Sequence, residues 1–497
     1  MFKNRLAGLL ALAACGAASV FSFAPLYLGV LMPLSLAGWL WGVGRAPSVR
    51  AAMLAGYAWG LGYFVANVYW VYISLHTFGG MPGWMAAGCT LLFGAYLALF
   101  PALAAGLGRR LPCPEPLRLP LLLPTLFCAS EWLRGTLFTG FPWAETGTSQ
   151  IPSWPLAGYA PIVGSMGVGW LLLLGVGIVL ARWRDPRRWA GVAALWLAGW
   201  GLLQVEWTTP VGKPVSVSLA QSNIAQDMKW NSAHYLDNLR VNLQQARQAR
   251  GELVVLPETA IPAFLTDVPD WYLDTLRSAV GERALVLGVP LQGKGADEYY
   301  NGAMVLTDPR QPVYKKQHLV PFGEFVPVPW LFGWMYRFLD MPLSGFSRGA
   351  FKQPPFVIGP TRLAANICYE DVFATDILQA LPEATMLVNF SNLAWFDGSW
   401  AAEQQLQMSQ ARALETGRYM LRSTNTGATA IVDHRGRVQA RLPQRQRAVL
   451  EGQAVNRTGL TPYGRWHNTP ILLTWLLSLL ALVWTGIRCE RRQSSFN

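Results

Sequence analysis

Charge is what this sequence is short of. Only 14% of its 497 residues are Asp, Glu, Lys or Arg, against roughly 25% in ordinary soluble domains. A wholly water-soluble chain of this length is therefore not the expectation, and 52% hydrophobic residues with 23 Trp point to lipid and its interfaces. Histidine is scarce as well. Five His, with no His/Cys cluster at ligand spacing, leave nothing to read as a metal centre. No glycine-rich phosphate loop is present, so no nucleotide site is read, and no cofactor is implied. Neither a fixed-period repeat nor a low-complexity linker is evident.

Acidic residues are missing relative to basic ones, which leaves a net charge of +12. Such an excess could mean nucleic acid, so its distribution decides. Through residue 211 there are twelve Lys or Arg against five acidic residues, in small groups at the ends of apolar stretches. Nucleic-acid binders gather basic side chains on one soluble face instead. A bilayer core of about 30 Å needs roughly 20 apolar residues as helix. Candidate spans lie near Leu6–Phe21, Phe23–Val43, Ala51–Leu75, Trp84–Gly108, Leu119–Phe138, Ile162–Ala181 and Trp189–Leu203, with an eighth near Pro470–Ile487. Lys3 and Arg5, Arg45 and Arg50, Arg109, Arg110 and Arg118, then Arg182, Arg184, Arg187 and Arg188 fall on one side. Arg488, Arg491 and Arg492 join them, while the loops His76–Gly83 and Gly140–Pro161 have no Lys or Arg. The positive-inside rule makes both termini cytoplasmic and places the stretch after span seven outside. Leu12-Ala13-Ala14-Cys15-Gly16 has the look of a lipoprotein cleavage box but reads more simply as part of span one. Glu131 and Arg134 stand at i, i+3 in span five, read first as a structural pair and second as a substrate contact.

From about Lys213 to Asn456 the texture changes, and 22 of the 28 acidic residues are found here. Val215–Ala220, Glu252–Leu256, Ala284–Val289, Gly302–Thr307, Arg362–Ile367, Met386–Phe390 and Gly427–Val432 read as strands. Ser232–Arg250, Asp270–Val280 and Ala402–Thr416 read as helices. Alternation of this kind suggests a layered α/β domain. The expected organisation is a seven-span bundle over residues 1–211, an outside domain over 212–457, and a linker, eighth span and tail over 458–497.

Three short segments concentrate chemistry. Glu258 follows a buried-looking strand in Leu256-Pro257-Glu258-Thr259, Lys316 precedes His318-Leu319-Val320-Pro321-Phe322-Gly323-Glu324, and Cys368 ends a strand before Tyr369-Glu370-Asp371. A thiol is a weak nucleophile until a base or a positive charge helps remove its proton. A carboxylate in apolar surroundings can take that proton, and an ammonium can meet the oxyanion that forms on an attacked carbonyl. Each residue alone has a plainer reading: a small buried apolar side chain, a loop carboxylate or helix cap, a solvated lysine. Cys368 is the only Cys in the outside domain, so it has no disulfide partner there.

The order Glu258, Lys316, Cys368 with these flanks resembles the Glu-Lys-Cys triad of the nitrilase, or carbon–nitrogen hydrolase, superfamily. Together with eight spans it resembles the apolipoprotein N-acyltransferases of bacterial cytoplasmic membranes. The matching pieces are Leu-Pro-Glu-Thr at 256–259, His-Leu-Val-Pro-Phe-Gly-Glu-Phe-Val-Pro at 318–327, Cys-Tyr-Glu at 368–370, Arg-Ala-Leu-Glu-Thr-Gly-Arg at 412–418 and Thr-Asn-Thr-Gly at 424–427. The resemblance implies an α-β-β-α sandwich beside an α-helical membrane bundle. It further implies Cys368 as nucleophile, Glu258 as general base, Lys316 as oxyanion stabiliser, Glu324 and the Tyr369 amide in support, and Glu370 as structural. Trp230 matches a position associated with substrate handling. One departure is Asn392-Leu393-Ala394-Trp395-Phe396-Asp397, where the family commonly reads Asn-Asp-Ala-Trp-Phe-Gly; any hydrogen bond from an acidic residue at 393 is in doubt.

Between Val328 and Met341 stand Trp330, Trp334, Tyr336 and Phe338 among other apolar residues. This segment is either an ordinary buried helix or a lid that dips into the membrane interface beside the site. The expected reaction moves an acyl chain from a membrane phospholipid, through a Cys368 thioester, to the α-amino group of a lipoprotein's N-terminal diacylglyceryl-cysteine. Donor and acceptor come from the resemblance, whereas the residues alone say acyl transfer. A membrane-tethered amidase acting on small amides competes, though tethering needs one span rather than eight. A transporter with a large external domain also competes, though it would carry broken or polar helices at mid-membrane. Acyl-chain preference, entry of the lipoprotein and oligomeric state are not legible.

Overall fold

The structure is a computed structural model describing residues 2–295, 298–333 and 345–494. It divides into two compact units. One, helical, comprises the chain up to Val71, Trp84–Val205 and Arg465 onward. The other comprises Glu206–Gly464 together with the short segment Tyr72–Gly83.

In the helical unit every predicted apolar run contains a helix: Phe2–Ala18, Leu31–Gly44, Val49–Asn67, Gly83–Arg110, Leu123–Arg134, Ala160–Ala181, Pro186–Leu202 and Thr469–Ser494. Among the described residues, four helical stretches are long and apolar enough to cross a membrane: Arg5–Ser22, Gly83–Arg110, Pro155–Ala181 and Thr469–Arg492. The run Phe23–Val43 is helical only in its second part. Pro25 disfavours helix at the residue before it, and Tyr27 adopts φ +53°. Helix contact relies on small residues. A Cβ on Gly62 would lie 1.8 Å from the Ala13 carbonyl oxygen, so only glycine lets Phe2–Ala18 and Val49–Asn67 approach this closely. Glu131 and Arg134 do pair, at 3.7 Å. Glu131 also accepts from the Thr146 amide at 3.0 Å and hydroxyl at 2.8 Å, and Arg134 donates to the Trp143 carbonyl at 2.7 Å.

The α/β unit contains two six-stranded sheets. Their strands are β1 (Val215–Gln221), β2 (Leu253–Val255), β3 (Ala284–Gln292), β4 (Tyr299–Val305), β5 (Tyr314–Lys315), β6 (Phe356–Ile358), β7 (Thr361–Ile367), β8 (Met386–Ser391), β9 (Met420–Thr424), β10 (Ala430–Val432), β11 (Val438–Arg441) and β12 (Ala448–Ala454). The first sheet runs β12-β1-β2-β3-β4-β5 and the second β11-β10-β9-β8-β7-β6. Strands β1, β2 and β3 are parallel, as are β7, β8 and β9, while the flanking pairings are antiparallel.

Alternation along each strand builds the layers. Val217, Leu219, Leu253 and Val255 meet Ile367, Met386, Val388 and Leu421 in the core shared by the two sheets. Val254, Leu285 and Leu287 face the other way, onto Leu239 and Ala246 of helix Tyr235–Gln248 and Leu276 of helix Asp270–Val280. Leu387, Met420 and Val432 pack on Leu406 and Ala413 of helix Ala401–Thr416. The result is an α-β-β-α sandwich. Strand β9 was not anticipated because Arg422 interrupts its apolar run; that guanidinium is fully buried and bonds Asp371 at 2.6 Å. Short edge strands β5, β6 and β11 and the mixed-polarity β12 also gave no clear sequence pattern. The segment Tyr72–Gly83 lays Phe78 edge-on against Trp395, ring centroids 6.3 Å apart.

Candidate active site

Parallel strands end together, and their carboxyl ends are where an α/β fold brings loops into one crevice. Glu258 lies three residues past β2, Cys368 immediately past β7, Asn392 past β8 and Asn425 past β9, while Lys316 follows the edge strand β5. The Glu258 turn lies against β3. A Cβ on Gly288 would sit 2.7 Å from the Glu258 Cα, so a side chain there would push the carboxylate loop away. Left-handed backbone at non-glycine residues gathers around the same place: Asn223 (φ +49°), Thr259 (+48°), Phe322 (+64°) and Cys368 (+51°). Such conformations cost on the order of 1–3 kcal/mol each and persist only where the surroundings enforce them.

Cys368 opens a short 3₁₀ turn, Cys368–Val372. Its carbonyl accepts from Gln405 at 2.7 Å and Asn389 at 3.2 Å, which fixes the turn from behind. Glu258, 7% exposed, accepts from the Asn301 amide group at 2.7 Å and from the Asn392 backbone N–H at 2.6 Å. Lys316, 1% exposed, donates to Glu324 at 2.9 Å and stands 3.9 Å from Glu258. Asn301 also reaches Glu324, at 3.0 Å, so one side-chain amide holds two carboxylates apart. Glu324 accepts as well from the Val320 N–H at 2.8 Å.

The electrostatics follow from burial. Burial pushes the Cys368 thiol up to about 12, and the Glu258 charge adds to that against the pull of Lys316. The resting group is therefore a thiol and needs a base to lose its proton. Burial likewise raises the Glu258 carboxyl above the usual range, with Lys316 opposing. For Lys316 burial works against the charge, but Glu324 and Glu258 overcome it and hold the ammonium well above its ordinary range.

Glu370 faces another task. It accepts from Ile367 N–H at 2.7 Å, Gln317 N–H at 2.7 Å, His318 N–H at 3.0 Å and Tyr314 hydroxyl at 2.8 Å, tying the Lys316 loop to the Cys368 turn. Stacking of His318 on Phe373, centroids 3.5 Å apart, secures the same loop. Tyr369 is buried beside them. Trp230 is half-buried at the end of the short helix Gln226–Lys229. Trp330 is 85% exposed, whereas Trp334, Tyr336 and Phe338 lie outside the described residues. Where the sequence departs at 393 and 397, Leu393 is buried in the core and Asp397 pairs with Arg445 at 2.7 Å.

Asn301 and Lys229 were not singled out from sequence. Asn301 is one polar residue in an apolar strand, and Lys229 stands beside the noted Trp230. Both are buried, and Lys229 donates to the Glu258 carbonyl at 2.9 Å. Among the described residues no three His, Cys, Asp or Glu converge as metal ligands do. A half-buried thiol, a desolvated carboxyl and a doubly paired ammonium are suited to acyl transfer.

Residues 15–178 match the model of the apolipoprotein N-acyltransferase N-terminal domain, and residues 216–463 match that of carbon–nitrogen hydrolase. An apolipoprotein N-acyltransferase of Chromobacterium violaceum is 46% identical over 96% of this chain and 93% of its own length. One of Nitrosomonas europaea is 43% identical over 95% of this chain and 96% of its own. A solved CN-hydrolase superfamily protein of Xanthomonas campestris aligns at TM-score 0.38 and 18% identity, over 49% of this chain and 91% of that one.

Proposed function

The chain belongs to the apolipoprotein N-acyltransferase family, and from that premise we propose that Cys368 carries an acyl group as a thioester between a membrane phospholipid and a lipoprotein. The chain is an acyltransferase; the route through the thiol is the proposal. In the first half-reaction the Glu258 carboxylate takes the thiol proton as Sγ attacks the ester carbonyl. The oxyanion of the tetrahedral intermediate is met by Lys316 and the Tyr369 amide. The C–O bond then breaks, and the proton on Glu258 passes to the leaving lysophospholipid alkoxide. In the second half-reaction the α-amino group of the N-terminal diacylglyceryl-cysteine attacks the thioester. Glu258 takes the amine proton and returns it to the thiolate as the C–S bond breaks.

The observation that carries this reading is the convergence of Glu258, Lys316 and Cys368 at one crevice, with Glu324 directly on Lys316. A thiol held near 12 favours proton removal by a base during attack over a standing thiolate. Glu370 keeps the two loops in register. Trp230 and the aromatic residues Trp330, Trp334, Tyr336 and Phe338 belong to the acyl-chain path. Residues 1–211 form seven spans, 212–457 the catalytic domain, and 458–497 a linker, the eighth span and the tail. The arginine-rich loops support a reading with both termini in the cytoplasm and the catalytic domain in the periplasm of a bacterial inner membrane.

Purified protein incubated with acyl-labelled phospholipid tests the route. Wild-type protein should gain one acyl mass on the peptide containing Cys368, released by hydroxylamine, and Cys368→Ala should gain none. Turnover of lipoprotein substrate by Cys368→Ala at the wild-type rate sinks the thioester.

A further inference from the structure

Among the described residues at this site, Lys229 is a buried cation to which the proposed chemistry gives no task. Lys229 is 4% exposed, and the hydrogen bond its ammonium makes is to the backbone carbonyl of Glu258, at 2.9 Å. A buried ammonium is costly unless its charge is used. Its place is fixed from both sides. Asn238 donates to the Lys229 carbonyl at 3.2 Å, and Asn392, whose own N–H bonds the Glu258 carboxylate, donates to Gln226 on the same short helix at 2.8 Å. The neighbouring Asp227 is exposed. The charges facing Lys229 across the site are Glu258 and, when ionised, Cys368.

A charge count of the crevice shows what a second ammonium does. Glu258 and Glu324 bring two negative charges. Lys316 contacts Glu324 at 2.9 Å but stands 3.9 Å from Glu258, so most of its charge is matched by Glu324. Glu258 is left short of a counter-charge, in surroundings that already favour its neutral form. We propose that Lys229 is a positioning residue of this site, whose ammonium anchors the Glu258 loop and adds to that of Lys316 a second positive charge favouring Glu258 as an ionised base. When the thiol proton moves to Glu258, negative charge moves to the oxyanion. Two cations then still face two anions, Glu324 and the oxyanion, and the crevice keeps the same net charge throughout. Burial brings Lys229 itself down to about 8, with Glu258 and Cys368 opposing, so it remains largely charged at neutral pH.

This inference rests on Glu258 acting as the base, and the acylation half-reaction tests it without the complication of an amine substrate. Lysophospholipid release in the first turnover is measured against pH for wild-type, Lys229→Met and Lys229→Arg full-length protein in detergent. Removing a cation close to Glu258 raises the carboxyl pKa, so the acid limb in Lys229→Met should move up by about one pH unit. Acylation per folded molecule below that limb should then fall about tenfold. Lys229→Arg should keep the limb within a few tenths of a unit. A Lys229→Met limb at the wild-type position overturns the proposal, including when the rate falls evenly at all pH, which is the mark of a structural role. Should Lys229→Met not fold, Lys229→Gln, which can still donate to the Glu258 carbonyl, carries the same two outcomes. Absence of any acyl adduct on wild-type protein overturns instead the thioester reading on which this rests.

Discussion

Glu131 in the helical unit and Glu258 in the α/β unit are both buried carboxylates with a cation nearby, yet their surroundings differ in kind. Glu131 receives its partners from one short stretch: Arg134 a turn away and both donors of Thr146. Its charge is spent locally. The Glu258 carboxylate is held by Asn301, Asn392 and Lys316, drawn from three separate elements, with the Lys316 ammonium 3.9 Å away. A charge closed by its own neighbours stabilises a fold, whereas one assembled from distant elements and left incompletely paired is open to exchange a proton.

Replacing each carboxylate is the sharpest way to break that contrast. Glu258→Gln should lower the acylation rate by roughly 10³-fold, in the range expected for loss of a general base. Because the Glu258 carboxyl is raised in the folded protein, its ionisation costs stability as pH rises through that folded-state value. The Gln variant should therefore equal or exceed the wild type in melting temperature at neutral pH. Glu131→Gln should do the reverse: acylation per folded molecule within a few-fold of wild type, with stability reduced by about 3 kcal/mol through the orphaned Arg134. If a folded Glu131→Gln protein lost acylation as Glu258→Gln does, the distinction between the two regions would collapse.

The smallest effect comes from a third carboxylate. Glu206 pairs with His434 at 3.0 Å and with Arg435 and Arg457. Burial raises its pKa, but these cations overcome that and hold it at about 2. A depressed carboxyl contributes stability above its unfolded value near 4.5, and that contribution is lost as pH falls toward 2. Glu206 is half exposed, so Glu206→Gln should cost no more than about 1 kcal/mol at pH 7, and that cost should fade as pH drops from 4.5 through about 2, read from denaturant midpoints.

Sequence pattern reached the layered α/β core because strands buried on both faces read as short apolar runs. It failed at β9, where a charge that pairs out of sight, Arg422 with Asp371, looks from the sequence like a surface residue. The region 23–43 was read as one span because hydropathy averages over Pro25, which the backbone does not ignore. Within the site, Glu258, Lys316 and Cys368 stood out through their flanking residues. Asn301 and Lys229 did not, because their importance lies in hydrogen bonds to Glu258 that span 43 and 29 residues of chain. Such pairings depend on strand register, which no local window contains.

The membership of Tyr72–Gly83 in the α/β unit bears on how this protein can be taken apart. Phe78 covers Trp395, and Trp395 lies in the turn that begins just after Asn392, the donor to Glu258. A gene fragment beginning at Glu206 and ending at Gly464 would encode every strand of the sandwich and still omit one of its walls. Such an excised domain is a protein with a missing part, and supplying residues 72–83 as a separate peptide is the natural way to restore it.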